Sequence, residues 1–483
     1  MNKEKKWVHF IGICGVTMAQ LAYMFKKKGW FVTGSDKGIF PPMSDYLKDR
    51  EINIELGFKE EHLKGSYYKK TNKDYTDLVI VGNYASLKNQ EYKYAKKKGL
   101  NIKSFPEMLK KYVVKSNSIV IAGTYGKTTS TALMALIFDE AGKNPSYMIG
   151  GLANNFKNGV KNTKSKWSII EGDEYTSSRF DLRSKFHHYQ AEFLLLIACS
   201  WEHTDIFKTE QDYIDNFKEL VKSISRNGII VANRNGKNVK EVIKEAHSKV
   251  IIYELNKIDD NLVKADWFNL PHKENEQLGE IVIFNKHTKE EFTVETELIG
   301  SHNRENIIGC CVLARELGID IESIKKAVSK FKGIKRRLEI RYQEGNIRII
   351  DDFACSPPKI IGSMTALNEE FPDWHKTIIF EPNVGNRTKE SLELFQGVFK
   401  GADEVIIPHL KPVKTVIGEH RVSGEELRDY LNKNEVNVFY IEEDNNLIKH
   451  INKKNPGKHI ICFMGAYGWR NMIIDLIKLY KNR

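Results

Sequence analysis

The chain has 483 residues, too many for a single hydrophobic core, so two to four domains are expected. Hydrophobic residues make up 41% and charged residues 29%, as in ordinary soluble globular proteins, and no apolar run of about 18 residues is present to cross a membrane as a helix. The net charge of +12 is spread along the chain, with only short clusters such as Lys26-Lys27-Lys28 and Lys96-Lys97-Lys98; without an RNA-binding aromatic signature it reads as a lysine-rich surface that also attracts small anions, and no nucleic-acid or membrane partner is expected.

The first six residues, followed by the apolar stretch Trp7 to Ala19, have the outline of a signal peptide. That stretch contains His9, Gly12 and Gly15 and runs on into an amphipathic segment ending at Lys28-Gly29. A buried strand, a glycine turn and a helix explain it better. Strands are expected at Val8 to Ile13, Phe31 to Gly34 and Leu78 to Gly82, alternating with helical patterns up to residue 112. This alternation predicts a parallel sheet with helices on its faces.

The turn Gly12-Ile13-Cys14-Gly15-Val16-Thr17-Met18 lies between the first strand and helix, and Ser35-Asp36 follows the second strand. The spacing is GxxGxxM rather than GxGxxG, which argues against a dinucleotide. A diphosphate still suits such a turn, because the helix N-terminus faces it. A UDP group, a dinucleotide and a purely structural turn all remain open at this point.

A second unit, residues 113–332, is expected to open with a strand ending at Ile119-Val120-Ile121-Ala122. It enters Gly123-Thr124-Tyr125-Gly126-Lys127-Thr128-Thr129, with a helix expected from Ser130 to Ala141. Strand, glycine loop, lysine, hydroxyls and helix in that order make a phosphate loop. Its glycines let backbone N–H groups turn toward phosphate oxygens, the helix N-terminus adds partial positive charge, Lys127 places a full charge on the β/γ-phosphates, and the Thr128 hydroxyl can ligate Mg²⁺. The spacing is shorter than GxxxxGK[ST]. Further strands are expected at Trp167 to Ile170, Phe193 to Ala198 and Gly228 to Val231, and residues 257–290 have no clear order. A third unit, residues 333–483, carries Asp351-Asp352 after a strand and further strands at Thr377 to Phe380, Glu404 to Ile407 and His459 to Met464. The fold class is therefore α/β, in three domains. The six cysteines are scattered without a CxxC pair, so neither a zinc site nor a disulfide framework is indicated, and a reducing cytoplasm is expected.

The segment Gly123 to Thr129 resembles the ATP loop of the Mur ligase family. Other segments match the family in order: Gly12 to Met18 its UDP-binding turn, Glu171-Gly172-Asp173-Glu174 its acidic motif, His302-Asn303-Arg304-Glu305-Asn306 its HNxxN motif, and Arg336-Arg337 with Asp351-Asp352 the opening of its C-terminal domain. The resemblance implies a Rossmann-like UDP-binding domain, a central ATPase-type domain and a Rossmann-like C-terminal domain. It implies an ATP-dependent ligase that joins the lactyl carboxylate of UDP-N-acetylmuramate to an amine through an acyl phosphate, in peptidoglycan synthesis or recycling.

Carried onto this sequence, the family pattern makes Lys127, His203 and Arg337 catalytic. ATP is met by Gly123, Thr124, Gly126, Lys127, Thr128, Thr129, His302, Asn306, Arg337 and Asp351. The UDP substrate is met by Gly12, Gly15, Met18, Ser35 and Asp36, and Mg²⁺ by Thr128, Glu171 and His203. Closure of the third domain is expected to bring Arg337 and Asp351 to the nucleotide and to exclude water. Pro41-Pro42-Met43-Ser44, Glu174-Tyr175, the segment Asp181 to Phe186 and Glu381-Pro382 resemble members that add a peptide, L-alanyl-γ-D-glutamyl-meso-diaminopimelate. Members that add L-alanine are next. Lys218 lies near the place of a carbamylated lysine found in other members. One departure stands out: Cys355-Ser356 occupies the place of a histidine pair in the family. Bland readings are a solvated acidic turn for Glu171 to Glu174, an ordinary histidine for His203, a capped helix start for His302 to Asn306, and surface ion pairs for Arg337 and Asp351. A folate-type ligase is disfavoured by the N-terminal turn. A non-catalytic UDP-sugar-binding protein and a nucleic-acid-binding ATPase are the rivals from other classes.

Overall fold

The structure is a computed structural model and describes residues 5–68, 72–83, 85–203, 206–255, 264–270, 279–383, 387–410, 421–433, 437–453, 457–466 and 468–482. It divides into two compact units, Met1–Glu297 with Arg304–Lys332, and Leu298–Asn303 with Gly333–Arg483.

The first unit contains two sheets. The N-terminal sheet is parallel, with β1 (Trp7–Ile11), β2 (Phe31–Asp36), β3 (Asn53–Leu56), β4 (Leu78–Val81) and β5 (Ile102–Ser104) in the order β3-β2-β1-β4-β5. Strand β1 is buried at every position, as a central strand covered on both faces should be. Helices α1 (Val16–Lys27), α2 (Met43–Lys48), α3 (Gln90–Lys97) and α4 (Phe105–Tyr112) accompany it. Helix α4 starts at a full capping box from Ser104 and Glu107.

The second sheet of this unit has ten strands. Its parallel centre is β6 (Asn117–Ala122), β9 (Trp167–Gly172), β12 (Phe193–Leu196), β13 (Ile229–Asn233) and β14 (Lys249–Glu254), with β7 (Ser146–Met148) and β8 (Val160–Lys161) at one edge. A small separate hairpin pairs β10 (Thr176–Ser178) with β11 (Asp181–Ser184). At the other edge β15 (Trp267–Asn269), β16 (Glu280–Asn285) and β17 (Glu291–Glu295) turn antiparallel, which gives order to part of the segment whose sequence showed none. Residues 257–263 and 271–278 of that segment lie outside the described residues.

Helix α5 (Lys127–Glu140) follows β6 directly. It begins three residues earlier than expected, so Lys127 and Thr128 sit in its first turn. Strand β9 extends two residues further than expected, so Glu171 is part of the strand. Helices α6 (Glu210–Ser223), α7 (Val239–Val242), α8 (Ser301–Glu316) and α9 (Ile321–Lys330) complete the list. The expected boundary near residue 112 separates two sheets but not two independent packing bodies. One apolar cluster runs from Phe10 and Phe25 through Val113 to Val120 and Leu194. Arg50 on one side donates to the Lys157 carbonyl at 3.2 Å on the other, and Tyr46 donates to Asn158 at 3.2 Å.

The second unit is built on a sheet of order β18-β19-β23-β20-β21-β22. Its strands are β18 (Glu339–Glu344), β19 (Ile347–Asp352), β20 (His375–Glu381), β21 (Glu404–Pro408), β22 (Asn437–Ile441) and β23 (His459–Gly465). Only β18 is antiparallel to its neighbour. Helices α10 (Pro357–Glu370), α11 (Lys389–Leu392), α12 (Gly424–Asn432), α13 (Asp444–Lys453) and α14 (Met472–Lys481) accompany it, and separate apolar clusters cover its two faces. The longer stretch of the unit starts at Gly333. The unit also takes in Leu298–Asn303, so the division of the chain falls inside the HNxxN segment.

Candidate active site

The phosphate loop is shaped by two glycines. Gly123 has φ 143 and Gly126 has φ 76, a region that costs an L-residue roughly 1–2 kcal/mol. A Cβ on Gly123 would meet the Ala198 backbone N at 2.8 Å, and one on Gly126 would meet the Asn306 Oδ1 at 2.3 Å. Asn306 is 2% exposed, so its amide is packed directly against the loop. Gly126 precedes α5 with no side chain capping the helix, which leaves the first-turn N–H groups facing the loop. Lys127 Nζ curls back to the carbonyls of Gly123 (2.5 Å) and Thr124 (3.2 Å) and pairs with Glu174 at 2.9 Å. Burial works against its charge, but the carboxylates of Glu174, Asp173 and Glu171 outweigh burial and hold the ammonium above its ordinary range.

The end of β9 places the acidic residues, with Glu171 in the strand and Asp173 and Glu174 just after it. Glu171 ends in a buried pocket where its carboxylate accepts from Thr128 Oγ1 (2.9 Å) and the Gly150 N–H (2.7 Å). Burial pushes its carboxyl up in spite of those donors and of Lys127. A buried carboxyl with that bias, beside a threonine oxygen at the start of α5, suits a hard divalent cation such as Mg²⁺. Asp173 bonds Lys185 at 2.5 Å; burial pushes its carboxyl up, but Lys185 and Lys127 prevail and hold it at about 2.

The carboxylate next to His203 is Glu174, not Glu171. The His203 Nε2 lies 3.5 Å from Glu174 Oε1, and Glu174, Glu202 and His203 have ligand atoms within 4.8 Å of one another. Thr128 with Glu171, and His203 with Glu174, thus form two neighbouring groups, with Lys127 paired to Glu174 between them. His203 has φ 57, uncommon for a non-glycine residue and frequent where a site holds a side chain in place. Its neighbours Thr204 and Asp205 lie outside the described residues.

A cavity of about 1080 Å³ lies between the two sheets of the first unit. Gly12, Gly15, Met18 and Asp36 line one side, and Gly150, Asp173, Tyr175, Lys185 and His203 the other. Asp36 fixes the turn by accepting the Cys14 N–H at 2.8 Å, and Gly12 takes φ 83. Ser35 is placed otherwise than expected. Alternate residues of a strand face opposite ways, so Asp36 faces the cavity and Ser35 does not. Its hydroxyl is buried and donates to Glu91, inside a network with His9 and His62.

Among the other expected residues, Thr124 binds the Ala198 carbonyl through its N–H (2.8 Å), and Thr129 lies in the first turn of α5. His302 is exposed and groups with the second unit, whereas Asn306 groups with the first. In the second unit Arg337 is exposed above the Phe353 ring at 5.6 Å, between two left-handed residues, Arg336 (φ 58) and Leu338 (φ 44). Asp351 is 3% exposed, and its oxygens are engaged by Arg336 (3.2 Å), Arg341 (3.3 Å) and the Trp469 indole (3.2 Å). That makes it a strut of the second unit as it stands. Cys355 is buried and Ser356 precedes α10. Lys218 pairs with Glu241 at 2.6 Å on the surface of α6, away from these groups. Glu381 and Pro382 are described, whereas residues 384–386 and 467 are not.

The residues that sequence reasoning missed are Gly150, Asp173, Lys185 and Tyr213. Asp173 stood in the quoted acidic segment Glu171 to Glu174, and Lys185 in the quoted segment Asp181 to Phe186, so both had a signal. Gly150 and Tyr213 come from distant chain and had none.

A glycine-shaped loop at the start of α5, buried acidic groups beside it, and a glycine turn facing Asp173 and His203 across a cavity are the features that set this fold apart. Family models agree on which protein class this is: "Mur ligase family, catalytic domain" matches residues 7–115, "Mur ligase middle domain" 121–314 and "Mur ligase, glutamate ligase domain" 336–467. The UDP-N-acetylmuramate–L-alanyl-γ-D-glutamyl-meso-2,6-diaminoheptandioate ligase of Haemophilus influenzae is 30% identical over 366 residues, 76% of this chain and 77% of that one. The UDP-N-acetylmuramate–L-alanine ligase of Acetivibrio thermocellus is 29% identical over 472 residues, 95% of this chain and 93% of that one. The crystal structure of a murein peptide ligase from Psychrobacter arcticus superposes with a TM-score of 0.67 at 25% identity, covering 99% of both chains. The chain belongs to the Mur ligase family, whose members are ATP-dependent ligases. No helix among the described residues is long and apolar enough to cross a membrane.

Proposed function

We propose that this chain is an ADP-forming carbon–nitrogen ligase that joins the lactyl carboxylate of UDP-N-acetylmuramate to the amine of L-alanyl-γ-D-glutamyl-meso-diaminopimelate, acting in the cytoplasm in peptidoglycan synthesis or recycling. The observation that carries the reading is the cavity itself, with the Gly12 turn on one wall and Asp173 and His203, neighbours of the phosphate-loop lysine's carboxylates, on the other. Pro41, Pro42, Met43, Tyr175 and Lys185, on which the likeness to peptide-adding members rests, line that same cavity.

The sugar's carboxylate is a poor electrophile. In the reaction it takes the γ-phosphoryl group of ATP, releasing ADP, and the resulting acyl phosphate is attacked by the amine, which forms the amide and expels phosphate. Lys127 exchanges its loop carbonyls for phosphate oxygens and stabilises charge there. The N–H groups of Thr128 and Thr129 complete the cradle, and Asn306 keeps Gly126 in its left-handed turn. Thr128 and Glu171 would hold Mg²⁺, with His203 at a second position, and the ion would supply charge neutralisation there. Asp36 and the Gly12–Gly15 turn hold the UDP group, with Met18 packed beneath. Arg337, His302 and Asp351 are assigned to the nucleotide by the family pattern.

Supplying the tripeptide or L-alanine with ATP and UDP-N-acetylmuramate, and weighing the nucleotide-linked product by mass spectrometry, decides the amine. A product with L-alanine alone replaces this reading by the second one, which the 95% coverage by the Acetivibrio thermocellus relative favours. Lys127→Ala is expected to abolish phosphate release that requires both substrates, and turnover at the wild-type rate would refute the loop assignment. UDP-sugar binding without any ATP turnover by the wild-type chain would mark a non-catalytic binder.

A further inference from the structure

Tyr213 is fully buried in the first turn of α6, whose start is fixed by the Thr209–Asp212 capping box. Its ring packs edge-on against Phe207 (5.1 Å between centroids) and tilted against Phe217 (5.2 Å). Its hydroxyl reaches out of that aromatic group to two places at once. It lies 3.1 Å from Thr124 Oγ1 in the phosphate loop and 3.2 Å from Glu174 Oε1.

Proton accounting fixes the directions. A carboxylate only accepts, so the single tyrosine proton goes to Glu174. Thr124 then donates either to the tyrosine oxygen or to the Ser200 carbonyl, which is 2.8 Å away. Glu174 is fully buried and also pairs with Lys127 at 2.9 Å. When Lys127 turns to a phosphate, Glu174 loses its nearest cation, and the tyrosine is a donor that stays.

We infer that Tyr213 is a positioning residue of the nucleotide site: its hydroxyl ties Glu174 to the phosphate loop and keeps that carboxylate satisfied while Lys127 transfers to the nucleotide. Without it, Glu174 competes harder for Lys127, and the nucleotide is held less well. This rests on the proposed use of the loop for ATP.

The test is Tyr213→Phe, which keeps the ring and removes one oxygen. Calorimetric titration with ATP, and separately with UDP, reads the loop and the Gly12 turn independently in the full chain. ATP affinity is expected to fall five- to twenty-fold, with UDP affinity and melting temperature unchanged; kcat falls as well, and the KM for the sugar substrate stays. Thr124→Val, which removes the other end of the bridge at equal size, is expected to move ATP affinity the same way by less, and it serves if the tyrosine variant does not fold. Equal ATP affinity in wild type and Tyr213→Phe overturns the inference while leaving the ligase reading intact. A parallel loss of UDP affinity or melting temperature overturns it in favour of a packing role. A wild-type chain that does not bind ATP overturns both.

Discussion

Gly126→Ala puts a number on how far the loop depends on one missing side chain. The left-handed φ of 76 costs alanine roughly 1–2 kcal/mol. The new Cβ would also stand 2.3 Å from Asn306 Oδ1 and 3.0 Å from its Cγ, and Asn306 is 2% exposed, with little room to withdraw. Overpacking of that kind costs about 1–3 kcal/mol. The nucleotide-free loop can relax into another backbone conformation, but a bound triphosphate requires the original one, so both costs appear as lost affinity. Together they come to roughly 2–5 kcal/mol, or about thirty-fold to a few thousand-fold in Kd. The strand before the loop and the helix after it keep their buried apolar faces, so melting temperature should fall little. Calorimetry with ATP and a parallel thermal melt measure the two quantities. Adding Asn306→Ala should recover the steric part and not the backbone part. An ATP Kd within threefold of wild type for Gly126→Ala would show that the loop does not grip phosphate in this conformation.

The buried carboxylate of Glu91 gives a pH prediction. Burial pushes it up, but hydrogen bonds from His62, His9 and Ser35 outweigh burial and hold it at about 2. A folded carboxyl below its ordinary value adds stability above pH 4.5 that disappears as pH falls toward 2, on the order of 3 kcal/mol in all. The stability gap between wild type and Glu91→Gln in urea titrations should therefore narrow from pH 5 to pH 3, and a gap that does not change with pH contradicts it. Lys218→Ala is expected to alter turnover less than twofold, with or without bicarbonate, because Lys218 pairs with Glu241 on the surface; a tenfold loss rescued by bicarbonate would point to carbamylation after all. His203→Ala should raise the Mg²⁺ concentration for half-maximal turnover several-fold while UDP affinity measured by calorimetry holds, and an unchanged Mg²⁺ dependence would remove His203 from the metal assignment.

Much of the fold was legible because it rests on local chemistry. Apolar runs such as Leu78 to Val81 and Ile119 to Ala122 have the length of buried strands, and the glycine turns after them require conformations that few other residues adopt. The phosphate loop was legible for the same reason: its signal lies within seven consecutive residues. Strand ends were less so, because the backbone pairing that extends β9 through Glu171 and β19 through Asp352 depends on neighbours far along the chain.

The sequence by itself determined three α/β sheets, the glycine loop that opens α5 and the glycine turn that opens α1. Tertiary structure alone decided which side chains meet. It put Glu174 rather than Glu171 beside His203, turned Ser35 into a buried network, and closed Asp351 between two arginines and an indole. It also brought Tyr213 from α6 to Thr124 across 89 residues of sequence. Conformation follows from each residue and its neighbours, whereas the partner of a buried polar group is set by whichever donor the packing brings within about 3 Å, and that donor can come from anywhere in the chain.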